Sequence, residues 1–167
     1  MKRILPFLLI FILTSCAQDN VDISGKMAGV TSIDADVSAL FPDRVSDYRI
    51  IYTVKDKTVE VLEPQEVSGI RARIGERMTF EFEDMILETG FPPQVEVCPI
   101  NVLAHLNDSW QNVQEIGHES GAYLAISREG DFELRTRFSK DALLPLDSEI
   151  FYKSQAIMLV RYNDLRF

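Results

Sequence analysis

The chain predicts an all-β domain: an antiparallel β-sandwich of roughly eight to ten strands with one or two short helical turns. Three observations carry this expectation. From Tyr48 onward, apolar and polar residues alternate in short runs rich in Val, Ile, Thr, Phe and Tyr, the period of a half-buried strand. Turn residues punctuate those runs about every 8 to 12 positions, the spacing of a compact β-fold. Cysteine is scarce: only Cys16 and Cys98 occur, so the fold must stand on an apolar core rather than on cross-links.

The N-terminus has to be set apart from the domain. Lys2 and Arg3 precede an apolar run, Ile4 to Leu13, that ends in Leu13-Thr14-Ser15-Cys16. Ten helical residues rise about 15 Å, half of a bilayer core of about 30 Å, so the run is too short to span and has the layout of a signal peptide. Its end resembles the lipobox of bacterial lipoproteins. That resemblance covers residues 1–16 and implies cleavage before Cys16, diacylglycerol on its thiol and an acylated amine. Ala17 stands where an aspartate would resemble an inner-membrane retention signal, which implies outer-membrane delivery in a Gram-negative host. The expected organisation is therefore a signal peptide at 1–15, a lipidated cysteine and polar tether at 16–29, and one β-rich domain at 30–167.

Within the domain, Ile33 to Leu40 reads as a short helix, with Ser32 as its cap, Asp34 and Asp36 in its first turn and Pro42 as its stop. The stretch 48–63 reads as a hairpin turning at Asp56-Lys57, with Val54 opposite Val59 and Tyr52 opposite Val61. For 67–83, a three-residue loop at Gly75–Arg77 pairs Ile74 with Met78, Ala72 with Phe80 and Arg71 with Glu81. A two-residue loop would mix the faces, because a slip of one residue inverts every side chain. The same logic at 121–138 pairs Ile126 with Leu134, Leu124 with Thr136 and Ala122 with Phe138. "VEVCPINVLAHL" reads as two short strands broken at Pro99, "NDSWQNVQEIGHES" as a loop or a single helical turn, and "AIMLVRY" as a central strand.

Charge excludes some functions. Loss of residues 1–15 removes Lys2 and Arg3, leaving 15 basic against 26 acidic side chains, net −11. Such a surface is unsuited to nucleic acid and to electrostatic adhesion on anionic lipid. It does suit a basic protein partner. Cys98, between apolar residues, reads as a buried inert thiol.

No motif names a reaction, a metal or a cofactor. Glu81, Glu83, Asp84 and Glu88 read as a solvated strand face. His105, His118 and Glu119 lack metal-ligand spacing. Ser120-Gly121 reads as a loop end, whereas a hydrolase nucleophile would sit on a sharp, Gly-flanked elbow. Asp34 and Asp36 lack the rest of a calcium loop. The contact candidates are Arg71 with Arg73 and Arg135 with Arg137, each pair on one strand face and suited to carboxylate or phosphate, and Trp110 with Tyr123. Cross-strand pairing with Glu and a core-capping Trp are the structural alternatives. The expectation is a lipid-anchored, periplasm-facing binding or structural module of the cell envelope. It would contact the membrane through Cys16 and another envelope protein or polymer through its domain. The alternative is an inhibitor or immunity-type protein for a basic cell-wall hydrolase.

Overall fold

The computed structural model describes residues 21–75, 77–89 and 98–167. These residues form one antiparallel sheet with two helices. The first half contains α1 (Ile23–Ala28), β1 (Ser32–Leu40), β2 (Val45–Thr53), β3 (Lys57–Glu63), β4 (Arg71–Ile74), β5 (Met78–Phe82) and β6 (Met85–Thr89). The second contains α2 (Pro99–Gln111), β7 (Glu115–Glu119), β8 (Ala122–Glu129), β9 (Phe132–Phe138), β10 (Pro145–Tyr152) and β11 (Gln155–Arg166). The strand order is β6-β5-β4-β3-β2-β1-β11-β10-β9-β8-β7. Two meanders therefore meet at a β1–β11 seam, where Ala39 faces Val160 and Ala35 faces Leu165. β6 and β7 are consecutive strands in the chain, yet they form opposite edges of the sheet.

The all-β class stands, with the layers arranged differently from a sandwich. A sheet needs a cover on its apolar face, and here α2 supplies it where a second sheet was expected. Pro99 opens that helix, where its missing N–H costs nothing, instead of breaking a strand. Val102, Leu103, Leu106 and Trp110 face the core from α2. Tyr52 donates its hydroxyl to the Leu103 carbonyl. The Trp110 ring meets Tyr52, Phe138 and Tyr162 edge-on at 5.6–6.5 Å. Its Nε1 donates to Thr136 Oγ1 at 3.2 Å, and Thr136, Ser148 and Tyr162 continue the buried chain of hydrogen bonds.

The expected helix at 33–40 is instead β1. Ile33, Ala35, Val37 and Ala39 are all buried, a period of two that outweighs the weaker helical spacing of Ile33, Val37 and Leu40. Asp34 serves cross-strand pairing, not a cap: Arg49 grips it with two bonds of 2.9 and 2.7 Å. The packed domain begins before the expected boundary at residue 30, because Ile23 and Met27 of α1 are fully buried.

Registers divide. The Gly75–Arg77 loop pairs Ile74 with Met78, Ala72 with Phe80 and Arg71 with Glu81, as expected. The first hairpin turns earlier, at Val54-Lys55, so Tyr52 faces Lys57 and Ile50 faces Val59. Thr53 Oγ1 accepts from the amides of Lys55 and Asp56 and fixes that turn. The third hairpin turns in two residues, Gly130-Asp131, with Gly130 at φ 58°. Ser127 therefore faces Leu134 and Ala125 faces Thr136, one residue away from the expected register. The small side chains Ala125, Thr136 and Ser148 lie in one row beneath Trp110. Leu124 and Ile126, the expected core residues, turn to the other face. β11 lies at the middle of the sheet, as a central strand should, with Met158 and Val160 buried on the helix side and Arg161 exposed on the other.

Candidate functional site

Cross-strand partners share a face, so rows of residues can be followed across the sheet. One row on the helix side runs Ala35, Ile50, Val59, Ala72, Phe80, Leu87. Its first four members are fully buried beneath the helices, Phe80 is half-buried and Leu87 at the edge is 62% exposed. Met85, opposite Phe82, is 65% exposed, and Ile86, on the other face, is 73% exposed. The β5–β6 end thus keeps a core-like composition without cover from the other described residues. Large apolar groups grouped at one exposed place mark a contact surface more often than does a single exposed side chain.

On the opposite face, the corresponding row alternates charge: Asp36, Arg49, Glu60, Arg71, Glu81, then Ile86. Arg71 reaches Glu60 at 3.0 Å and Glu81 at 3.9 Å, and Arg73 reaches Glu81 at 3.5 Å. Arg135 contacts Glu133 at 2.7 Å and lies 4.3 Å from the centre of the Phe151 ring. Arg137 grips Asp147 through two bonds. A hollow of about 290 Å³ between Arg135, Arg137 and Arg161 also holds Glu119, Asp147 and Glu149. All four candidate arginines are thus engaged by carboxylates, which weakens the case for an anion site on this face. Trp110 is core. Tyr123 is nearly buried, with the His118 ring 5.1 Å away and Lys140 Nζ 5.7 Å over its face. Trp110 and Tyr123 are not brought together as a surface pair.

The remaining titratable cluster lies on α2. Burial pushes the Asp108 carboxyl up, but hydrogen bonds from His105 and Lys57, with their charges, outweigh it and hold the group below its usual range. His105 Nδ1 lies 3.2 Å from Asp108 Oδ2, the same oxygen that Lys57 binds. Asp108 therefore straps α2 to β3. His105 and Asp108 also line a cavity of about 410 Å³ with Ser109, Asn112, Ser127 and Arg128. The Ser109 hydroxyl is committed to the His105 carbonyl at 3.1 Å. His118 and Glu119 stand on β7, Glu81 on the far face of β5 and Glu83 in the turn before β6, so of Glu81, Glu83, His105, His118 and Glu119 only His105 lines this cavity. Among the described residues, no three His, Cys, Asp or Glu side chains are grouped to hold a metal. Cys98 is half-buried at the start of α2, and Cys16 lies outside the described residues.

No protein-family model matches the chain, and no curated protein matches it. Among solved structures, an uncharacterized conserved protein from Thermus thermophilus is similar at TM-score 0.53 and 14% identity. The match covers 81% of this chain and 78% of that one. A DUF1329 family protein from Desulfovibrio piger gives 0.49 and 13% over 87% and 90% of the two chains. A LolA superfamily protein from Nitrosomonas europaea gives 0.45 and 8% over 81% and 84%. At these identities the likeness concerns the fold alone.

The apolar edge was missed in the sequence, although its signal is there. Met85-Ile86-Leu87 places three apolar residues in succession, which on a strand puts apolar groups on both faces.

Proposed function

We propose that the chain is a non-enzymatic lipoprotein, anchored through Cys16 at the periplasmic face of an outer membrane, that holds another envelope component at the β5–β6 end of its sheet. The observation that carries the binding role is the uncovered row ending at Phe80 and Leu87, flanked by Met85 and Ile86. The lipobox resemblance supports the address, since two or more acyl chains give stable anchoring. The net charge of −11 left once residues 1–15 are removed favours, as a second reading, an inhibitor or immunity-type protein for a basic cell-wall hydrolase, because opposite charge steers encounter.

Fractionation with crosslinking in the native envelope tests both parts. Cys16→Ser should leave a precursor or soluble form, whereas retention in membranes after a carbonate wash refutes the anchor. Leu87→Glu should stay folded and anchored yet lose its crosslinked partner. If every crosslink survives that change, the binding face is wrong. Single Ala replacements of Glu81, Glu83, His105, His118 and Glu119 should leave the cellular phenotype intact. One that folds, stays anchored and behaves as a deletion revives catalysis.

A further inference from the structure

Among the described residues no strand pairs with the outer edge of β6, and that edge has a specific chemistry. Phe82 and Met85 close a two-residue turn, Glu83-Asp84, with Glu83 at φ 51°. The residues closing such a turn exchange both backbone bonds, so Met85, Leu87 and Thr89 spend their amides and carbonyls on β5. Ile86 and Glu88 direct theirs away from the sheet. Natural edges are blunted by Pro, Lys, inward charges or bulges. Met85–Thr89 has no Pro and no Lys, and its register with β5 is unbroken. On the helix side this edge offers Met85 and Leu87. On the other side it offers Ile86 and Glu88, with Glu83 and Asp84 at the turn. Residues 78–89 contain four acids and no Lys or Arg. Arg77 engages Glu88, and Arg71 and Arg73 engage Glu81, which leaves the carboxylates of the turn as the charge beside the open edge.

We infer that the β6 edge takes an extended basic segment of a partner protein as an added strand, its apolar residues over Met85 and Leu87 and its Lys or Arg residues toward Glu83 and Asp84. Main-chain bonds supply the affinity in such strand addition, and alternate side chains supply the selectivity. A second copy of this chain would bring the same acids to the junction and a like net charge, which opposes the approach. This inference rests on the proposed binding role and names the partner's chemistry.

The test uses the full lipidated chain in phosphatidylcholine nanodiscs, with an eight-residue peptide alternating Lys and Val as the probe. Amide hydrogen exchange at Ile86 and Glu88 should slow about tenfold on saturation, while Ile116 and His118 on the other edge stay unchanged. The same peptide with Glu in place of Lys should have no effect. Ile86→Pro removes one outward N–H and spares the bonds to β5, so it should abolish protection at Glu88. E83K/D84K leaves the edge open and should weaken the peptide about tenfold at low salt. Absence of slowing at Ile86 and Glu88 overturns the inference, as does equal protection by the acidic peptide. Protection that rises with protein concentration alone overturns it in favour of self-association. The anchoring and Leu87 crosslinking results are independent of all these, so the binding role can stand if strand addition fails.

Discussion

The two edges of the sheet were built from the same hairpin logic and finished differently. β7 is clamped: Arg128 on β8 reaches Glu115 at 2.6 Å and Glu133 of β9 at 2.7 Å, binding three strands together. The His118 ring lies against Tyr123 on the helix side, and Ile116 is the one large apolar group much exposed there. Among the described residues β6 has a single ion pair, Glu88 with Arg77 of the β4–β5 turn, and three exposed apolar side chains in succession. The difference teaches that edge protection is local and separable from core formation. One edge is sealed by charge and aromatic packing, and the other is left open with a composition that water alone does not favour.

The largest expected effect sharpens the contrast between covered and open regions. Trp110→Ala removes the ring that fills the space over Ala125, Thr136 and Ser148 and should cost about 3–5 kcal/mol in denaturant unfolding. Leu87→Ala, also on the helix side, should cost no more than about 0.5 kcal/mol. If Leu87→Ala proves as costly as a core truncation, the β6 end is covered and the comparison breaks. Tyr52→Phe lies between the two: it removes the hydroxyl bond that ties β2 to the Leu103 carbonyl of α2, at about 0.5–1.5 kcal/mol.

A smaller effect concerns pH. The Asp108 carboxyl is held below its ordinary value, so its contribution is present above the unfolded pKa, about 4. It is lost as pH falls through the lower folded value. Asp108→Asn should therefore flatten the acid limb of the stability profile below about pH 4. An unaltered acid limb would mean that the His105 and Lys57 contacts are not made in solution. Smallest of all is the outer-face ladder. Charge reversal at Arg71, or at Glu81, should cost under about 1 kcal/mol, and the double reversal should recover part of the loss. Recovery will be partial because Arg71 also serves Glu60, and strictly additive losses would show that the pair does not interact.

How much of this was legible follows from where the competing patterns lay. The Gly75–Arg77 register could be read because Ile74, Ala72, Met78 and Phe80 leave only one phase with a consistent face. β8–β9 could not, because the deciding fact is distant: Trp110 on α2 requires small neighbours, which turns Leu124 and Ile126 outward. β1 was misread because Asp34 and Asp36 suit a helix start as well as a strand's polar face, and their partner Arg49 lies in the next strand. α2 was obscured by Pro99, which breaks a strand in one context and opens a helix in another. The single sheet was least legible, since the same alternation serves a sandwich or a sheet covered by a helix. Of the contact candidates, Arg71, Arg73, Arg135 and Arg137 were correctly placed on strand faces. The β6 edge required knowing which strand ends the sheet.

The seam between β1 and β11 has a consequence for how the protein comes into being. Leu40 pairs with Leu159 and Asp34 with Arg166, so the middle of the sheet joins the first and the last of the described strands. Until the ribosome has supplied β11, β1 has only β2 beside it, and each meander ends in a raw strand at what will become the centre. Contacts of such long sequence separation slow folding. A chain that ends before Gln155 would carry two adhesive half-sheets rather than one shortened protein. The aggregation hazard of this molecule is thus greatest in nascent and truncated forms.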